Sequence, residues 1–357
     1  MHLRSSLRWI AGPGVSATFH GMHTTPEPDV LAIAMQLMAT ESTTGNEGRV
    51  IAVAESILVG LGWQTRRIPV TPGRDDLLAY GDAPVELVFS THLDTVPPYI
   101  PPQIEGDRLL GRGACDAKGI AAAMICAATA LKAQSVPVGV LLVVGEEAPH
   151  DGARAANAVK NSCRVLINGE PTESKLATGT KGALRCTITT RGKAAHSAYP
   201  ELGVSATAKL VALLGEIDSL TLPTHPLLGA TTINIGMLSG GVADNVIAPS
   251  ATARLMVRLV TSSAETIALL RAWLGNRAEF AVETEVQPVL LGSVDGFDTD
   301  VVAYATDVPE LSNWGTPYLF GPGSIHVAHT DHEFIEIDEL RAAVGAYQRL
   351  AMAARSA

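Results

Sequence analysis

Short, almost wholly apolar segments alternate with longer segments of helical periodicity, and this alternation constrains the fold more than any other feature of the chain. "ELVFSTHL", "VGVLLVVG" and "CRVLING" are typical of strands buried on both faces. The alanine-rich "DAKGIAAAMICAATALKAQ", between the first two, has the length and spacing of a helix. Apolar strands that alternate with helices build a sheet covered on both sides, so we predict an α/β core.

The pattern changes at about residue 182, where half-buried strands replace the fully apolar ones. From there the predicted order is strand, helix, strand, strand, helix, strand, which is the ferredoxin-like order. An apolar strand, "TPYLFGPG", and a helix, "IDELRAAVGAYQRLAMAAR", follow it. The second unit is therefore predicted to be inserted into the first. We predict a disordered extension at 1–25, a core at 26–181 and 293–357, and an inserted domain at 182–292.

Charge and composition exclude several classes of partner. The chain has 357 residues and a formal net charge of -10, which argues against nucleic acid or an anionic membrane surface as main partners. No apolar run reaches the roughly 18 residues of a membrane span. The four cysteines form no CxxC pair and indicate reduced thiols. We therefore expect a cytoplasmic protein that acts on a small molecule.

The first candidate for chemistry is the end of "VFSTHLDTVPP", residues 88–98. Residues i and i+2 of a strand share a face, so His92 and Asp94 can lie together. A metal-binding histidine usually donates its second ring N–H to a carboxylate. The triplet indicates a metal ligand with its supporting carboxylate, although a buried strand can also end in this way by chance.

Three further segments bring carboxylates to the ends of predicted elements. "GRGACDAKG" places Asp116 before the long helix, where aspartate is also a favoured N-cap. "VLLVVGEEAPHDGAR" runs from a buried strand into Glu146 and Glu147, and "VLINGEPTES" places Glu170 after another strand. Burying a carboxylate is costly unless it is paired or binds a metal. A solvated turn explains one such glutamate more easily than two.

Histidines complete the set. "FGPGSIHVAHTDHEFIEI" contains three of them, of which His329 is the preferred ligand and the other two are expected to be neighbours in a polar loop. Ligands of open α/β sheets gather outside the carboxyl ends of the strands. Two histidines with three carboxylates suit a pair of zinc ions roughly 3.5–4 Å apart, with a spare glutamate as general base. The candidate ligands are His92, Asp116, Glu147, Glu170 and His329.

After residue 26 the chain resembles the dinuclear zinc metallopeptidase superfamily that contains acetylornithine deacetylase, succinyl-diaminopimelate desuccinylase, aminoacylase and carboxypeptidase G. The motifs that carry the resemblance are, in order, "STHLDTVP", "GRGACDAKG", "GEE", "GEPT", "KAAHSAYPELG", "GGVADNVIAPSA" and "GPGSIHVAH". The resemblance implies a catalytic domain with a central mixed sheet covered by helices, at 26–181 and 293–357. It also implies that 182–292 is a ferredoxin-like α+β lid and dimerisation domain.

The same resemblance implies a ligand set. His92 and Glu170 would bind one zinc ion, and Glu147 and His329 would bind the other. Asp116 would bridge both ions, and the peptide bond that follows it is expected to be cis. Co²⁺ can substitute for zinc in such a centre.

Residues outside the ligand set receive roles from the resemblance as well. Glu146 would act as general base and acid, and Asp94 would orient His92. His196 on the lid would reach the active site of a partner subunit in a homodimer and stabilise the oxyanion. Arg258 would hold a substrate carboxylate or, equally, form a surface ion pair. The candidate substrate-binding residues are Asn245, Arg258 and Gly323.

The motifs are most similar to those of the acetylornithine deacetylase branch. We therefore expect a zinc-dependent hydrolase that removes an acyl group, with acetyl preferred, from an N-acyl amino acid such as N-acetylornithine or N-acetylcitrulline in arginine biosynthesis. The alternatives are a desuccinylase-like enzyme, an acyl-lysine hydrolase, a dipeptidase or a carboxypeptidase. A non-catalytic binding protein is disfavoured, because every expected ligand and the base are present. A structural zinc protein is disfavoured, because such sites are rich in cysteine.

Overall fold

The computed structural model describes residues 28–357, so the extension predicted at 1–25 lies outside the described residues. The helices are α1 Val30–Met38, α2 Gly48–Gly60, α3 Lys118–Ala133, α4 Asp151–Asn157, α5 Ala206–Leu214, α6 Ser263–Leu274 and α7 Ile337–Ser356. In this part of the chain no helix is long and apolar enough to cross a membrane.

The strands of the described residues form one large sheet and three smaller ones. They are β1 Gln64–Thr71, β2 Arg74–Tyr80, β3 Leu87–His92, β4 Gln103–Glu105, β5 Arg108–Leu110, β6 Val138–Val143, β7 Val165–Asn168, β8 Leu176–Thr180, β9 Gly182–Arg191, β10 Thr224–His225, β11 Gly229–Ala230, β12 Thr232–Gly240, β13 Ser250–Leu259, β14 Glu279–Val286, β15 Val289–Leu290, β16 Thr299–Val302, β17 Thr316–Leu319 and β18 Phe334–Glu336.

The large sheet is mixed, as predicted. Its strand order is β1-β2-β6-β3-β7-β17-β8-β15, with β16 beside β8. β3 runs parallel to β6 and β7, and β17 runs parallel to β7, whereas β1 and β2 are antiparallel to their neighbours. Four parallel strands at the centre bring their carboxyl ends to one edge of the sheet, which is where a site can form.

Both faces of this sheet are covered, and β6 shows why its sequence is apolar throughout. Successive side chains of a strand point to opposite faces. Val138, Val140 and Leu142 pack into the core that includes α1, α3 and α7, whereas Leu141 and Val143 pack against α4. Helix α3 buries twelve of its sixteen residues, because its alanines let the sheet and α7 approach closely. The predicted α/β class is confirmed.

The segment after β8 forms a second sheet of antiparallel strands in the order β12-β13-β9-β14. Helices α5 and α6 cover one of its faces, so the chain order β9-α5-β12-β13-α6-β14 is the predicted ferredoxin-like one. We call this unit the lid. Strand β15, which falls inside the predicted range 182–292, pairs with β8 of the large sheet.

Candidate metal centre and active site

The candidate ligands come from elements that end at the same edge of the large sheet. His92 is the last residue of β3, and Glu147 and Glu170 follow β6 and β7. Asp116 lies two residues before α3, and His329 lies in the loop between β17 and β18. The peptide bond between Asp116 and Ala117 is cis, as expected. Because β6, β3, β7 and β17 are parallel neighbours, the segments that follow them meet here, although His92 and His329 are 237 positions apart in the chain.

The side chains form two groups that share Asp116. His92, Asp116 and Glu170 make one group, and Asp116, Glu147 and His329 make the other; within each group the ligand atoms lie within 4.8 Å of one another. Asp116 presents one oxygen to each histidine: Oδ1 is 3.0 Å from His92 Nε2, and Oδ2 is 3.2 Å from His329 Nε2. His329 Nε2 is also 2.9 Å from Glu147 Oε1. A carboxylate with one oxygen in each group has the arrangement of a bridging ligand.

Asp94 supports the cluster from behind in two ways. His92 Nδ1 lies 3.0 Å from the Asp94 carbonyl oxygen and 3.5 Å from its carboxylate, which leaves Nε2 facing Asp116. The carboxylate oxygens of Asp94 also accept the backbone N–H groups of Glu146 and Glu147. A single buried aspartate thus orients a candidate ligand and fixes the turn that carries the two glutamates.

Burial gives the carboxylates unusual electrostatics. Burial, followed by the charge of Glu170, raises the pKa of Glu146 well above its usual range, and burial likewise raises the pKa of Glu170. Although burial opposes it, hydrogen bonds from His329 and His92 hold the pKa of Asp116 below its usual range. Hydrogen bonds to Asp116 and Glu147 raise the pKa of His329 to about 10. These pKa shifts reflect an excess of carboxylates over cationic groups in the cluster. Two bound divalent cations would balance that excess of negative charge.

The donor set fits zinc. Each group offers one imidazole nitrogen and two carboxylate oxygens, which are donors that zinc accepts, and catalytic zinc sites keep three protein ligands and an open position. Glu170 Oε1 is buried and has no hydrogen-bond partner among residues 28–357. A buried oxygen without a donor is costly, and a cation would satisfy it. Glu146 belongs to neither group, so it stays available as a base.

Glu333, which the motifs do not single out, holds the segment that carries Asp116. Its Oε1 accepts the backbone N–H groups of Cys115 and Asp116, each at 3.1 Å, and its Oε2 accepts from Arg112 at 2.8 Å. Both Glu333 and Arg112 are buried. A glutamate in the polar run "HTDHEF" carries no signal of burial, and only the packing of distant segments reveals it.

A cavity of about 470 Å³ opens on the cluster, between the large sheet and the lid. Asp116, Glu146 and His329 line it on one side, and Arg185 and Arg258 of β9 and β13 line it on the other. Arg258 makes no ion pair with any described residue, so the surface ion pair considered from the sequence is absent there. Burial and the charge of Arg185 lower the pKa of Arg258, as expected for a cation without a partner.

The remaining predicted residues lie elsewhere. His196 and Asn245 are close together on the lid. His196 forms an isolated β-bridge with Val246, and the backbone N–H of Ser197 donates to the Asn245 carbonyl. Neither His196 nor Asn245 lines the cavity. Gly323 has φ +85°, and a β-carbon there would come 2.6 Å from Cys115. Gly323 therefore packs beside the segment that carries Asp116 rather than against the cavity.

Comparison with known sequences identifies the family. The model of peptidase family M20/M25/M40 matches residues 88–353. A peptidase M20 domain-containing protein of Schizosaccharomyces pombe is 38% identical over 338 residues, which cover 91% of this chain and 84% of the yeast protein. A probable carboxypeptidase of Aspergillus oryzae is 40% identical over 311 residues, which cover 75% of this chain and 72% of the fungal protein.

Solved structures share the fold at lower identity. A tripeptidase of Staphylococcus aureus is 18% identical with a TM-score of 0.77, and covers 91% of this chain and 98% of its own. The YxeP protein of Bacillus subtilis, described as a dinuclear metal-binding peptidase, is 14% identical with a TM-score of 0.69, and covers 90% of this chain and 96% of its own. The family match spans most of the chain and includes all the candidate ligands. The chain is a hydrolase of peptidase family M20/M25/M40.

Proposed function

We propose that the chain is a dizinc amidohydrolase that cleaves the amide bond of a small substrate whose released amino acid carries a free carboxylate. One observation supports this proposal most strongly. Two groups of metal-binding atoms share Asp116, and a buried glutamate outside both groups, Glu146, lines the same cavity. This separation of ligands from base is what hydrolysis by an activated water requires.

The chain's own residues supply the positioning and the proton transfer. When bound, the two ions would lower the pKa of a water molecule and polarise the scissile carbonyl. Glu146, which lines the cavity and belongs to neither ligand group, would take the water's proton and pass it to the departing amine. Asp94 keeps Glu146 in place through the backbone N–H of that residue.

Arg258 supports the choice of a carboxylate-bearing substrate. It faces the cluster across the cavity and has no ion-pair partner among the residues that the structure describes. A guanidinium matches the geometry of a carboxylate and binds it through two parallel hydrogen bonds. The substrate would thus lie with its carboxylate on the lid and its amide at the metal centre.

Two substrate classes fit this placement. Our first candidate is an N-acetyl amino acid, N-acetylornithine or N-acetylcitrulline, on the strength of the motifs "GRGACDAKG", "INGEPTES" and "FGPGSIHVAH". The second is a dipeptide or a longer peptide cleaved at its carboxyl end, which the name of the Aspergillus relative, a probable carboxypeptidase, favours. Both classes share the amide and the adjacent carboxylate, and differ in the acyl group.

The test is amine release by the zinc-loaded chain from a matched panel. The panel contains N-acetyl forms of ornithine, citrulline, lysine and methionine, succinyl-diaminopimelate, dipeptides, and a carboxamide partner of each acetyl compound. We expect turnover of the carboxylates and little turnover of the carboxamides, and Arg258→Met should raise KM at least about tenfold for the carboxylates only. Equal rates on both series would contradict the placement, and a preference for dipeptides would select the second class.

The lid carries the features of a surface that docks on a second copy of this chain. Exposed apolar side chains concentrate there, including Ile235, Met237 and Leu238 on the edge strand β12 and Val211 on α5. An exposed edge strand with an apolar face favours pairing with another strand. A homodimer would also give His196, which lies outside the cavity of its own chain, a route to the active site of the other.

We expect Met237→Asp to convert the dimer into a monomer and to lower kcat, because a charge in the centre of an apolar interface is left desolvated and unpaired. Sedimentation velocity measures the first effect and substrate turnover the second. Met352→Asp, on the exposed face of α7 in the catalytic domain, is the matched control and should leave both unchanged. A wild-type chain that sediments as a monomer with full activity would rule out the shared site.

A further inference from the structure

A third group of metal-binding atoms lies beside the dinuclear cluster and shares no residue with its ligands. Glu146, His150 and Asp307 each place one candidate ligand atom so that the three atoms lie within 4.8 Å of one another. His150 Nδ1 is 2.8 Å from Asp307 Oδ1. One imidazole and two carboxylates make the same donor set as each half of the dinuclear centre.

Two packed segments hold this group in position. His150 is the last residue of a turn, and its backbone N–H donates to the Gly145 carbonyl at 2.7 Å. It adopts a left-handed conformation with φ of 62° and immediately precedes α4. Asp307 immediately precedes the 3-10 segment Val308–Trp314, which packs on α4, where the Trp314 indole N–H donates to the Ala156 carbonyl. His150 and Asp307 are therefore positioned by packed helical segments rather than by a free loop.

Asp307 lacks a full complement of partners. Its side chain is 1% exposed, Oδ1 faces His150, and Oδ2 has no hydrogen-bond partner within residues 28–357. Over the same residues no lysine or arginine pairs with it; the neighbouring Arg154 lies 3.7 Å from Glu310 instead. A buried carboxylate with an unsatisfied oxygen is costly, and a cation is the ligand that would satisfy it.

We infer that Glu146, His150 and Asp307 form a third divalent-cation site, which takes zinc at higher concentrations than the dinuclear centre and inhibits hydrolysis when filled. Glu146 and His150 both line the cavity, so an ion can enter from solvent. Binding there is weaker because the two divalent cations of the neighbouring dinuclear centre repel a third. Inhibition follows because Glu146, once it binds a cation, cannot accept a proton; this consequence rests on the proposed function, whereas the binding does not.

The first test measures binding by equilibrium dialysis with zinc alone. We expect the wild-type chain to bind two ions tightly and a third at least about tenfold more weakly. Asp307→Asn, which keeps the shape of the side chain, and His150→Phe should each lose only the third ion. His332→Ala removes an exposed histidine near the cluster and, as the matched control, should keep all three. Thermal unfolding of each variant verifies that it folds.

The second test measures hydrolysis as zinc is raised beyond two equivalents. We expect the inhibition constant for zinc to rise at least about tenfold in Asp307→Asn and His150→Phe, and to stay at the wild-type value in His332→Ala. A third ion that all variants bind equally, or a wild-type chain that binds no third ion at millimolar zinc, would overturn the inference. If the chain binds a third ion but hydrolyses no substrate of the panel, the result would support the third cation site and refute the proposed function.

Discussion

Glu146→Gln strongly reduces turnover and leaves both metal ions bound: this is the expected result for a residue that lines the cavity at the cluster but belongs to neither ligand group. The amide of glutamine keeps the size of the side chain but cannot accept the water's proton. General acid–base catalysis typically contributes 10²–10⁴-fold, so we expect kcat to fall by at least about 100-fold with little change in KM. Turnover measures the first effect, and metal analysis of the dialysed variant measures the second.

The control for this variant is Glu310→Gln. Glu310 lines the same cavity and pairs with Arg154, but it lies outside all three groups of metal-binding atoms. Glu310→Gln changes the charge of the cavity by the same amount as Glu146→Gln. Because Glu310 does not transfer the proton, we expect this variant to reduce kcat only slightly. Rates near those of the wild type in Glu146→Gln would show that another group transfers the proton.

Asp116→Ala is expected to weaken both metal ions at once, because Asp116 places one oxygen in each ligand group. Glu170→Ala and Glu147→Ala should each weaken only the ion of their own group. Loss of a residue that merely supports a ligand typically costs 10–100-fold in metal affinity, so loss of the shared ligand should cost at least about 100-fold at both ions. Zinc titration of the metal-free variants, with a chromophoric chelator as competitor, measures each affinity.

Thermal unfolding in excess chelator provides the control for this series. Removing Asp116 costs the metal-free chain its hydrogen bonds with His92 and His329. The same change removes one of several mutually repelling buried carboxylates, so we expect the metal-free chain to remain folded. If Asp116→Ala kept one ion at wild-type affinity, the two groups would not share a bridging ligand. Wild-type affinity for both ions in all three variants would show that the metal lies elsewhere.

The fold was predictable where local pattern and tertiary role agree. Strands such as β6 are buried on both faces and therefore apolar at every position, and the alanines of α3 signal close packing. Strand β8 was missed, because "LATGT" carries no periodicity and is specified by its neighbours in the sheet. For the same reason the predicted lid range includes β15, which pairs with the large sheet.

The sequence predicts the candidate ligands of the site, but it predicts only some of the residues that hold those ligands in place. A carboxylate after a buried strand is unusual enough to notice, which is how Glu147 and Glu170 were found, and the division of roles came from the family resemblance. Glu333 was missed because it lies in the polar run "HTDHEF", and Asp307 was missed because a single aspartate after "VVAYAT" gives no sign of its partner. Their importance comes from contacts with Asp116 and His150, about 150 to 220 positions away.

The measurement that tests the central claim most directly is a zinc titration of the metal-free chain, followed simultaneously by bound metal and by hydrolysis of the best substrate of the panel. The account predicts no hydrolysis without metal and full hydrolysis with two tightly bound ions per chain. It also predicts that Asp116→Ala binds neither ion tightly and hydrolyses nothing. Hydrolysis by the metal-free chain, or full activity of Asp116→Ala, would contradict a dinuclear centre built on Asp116.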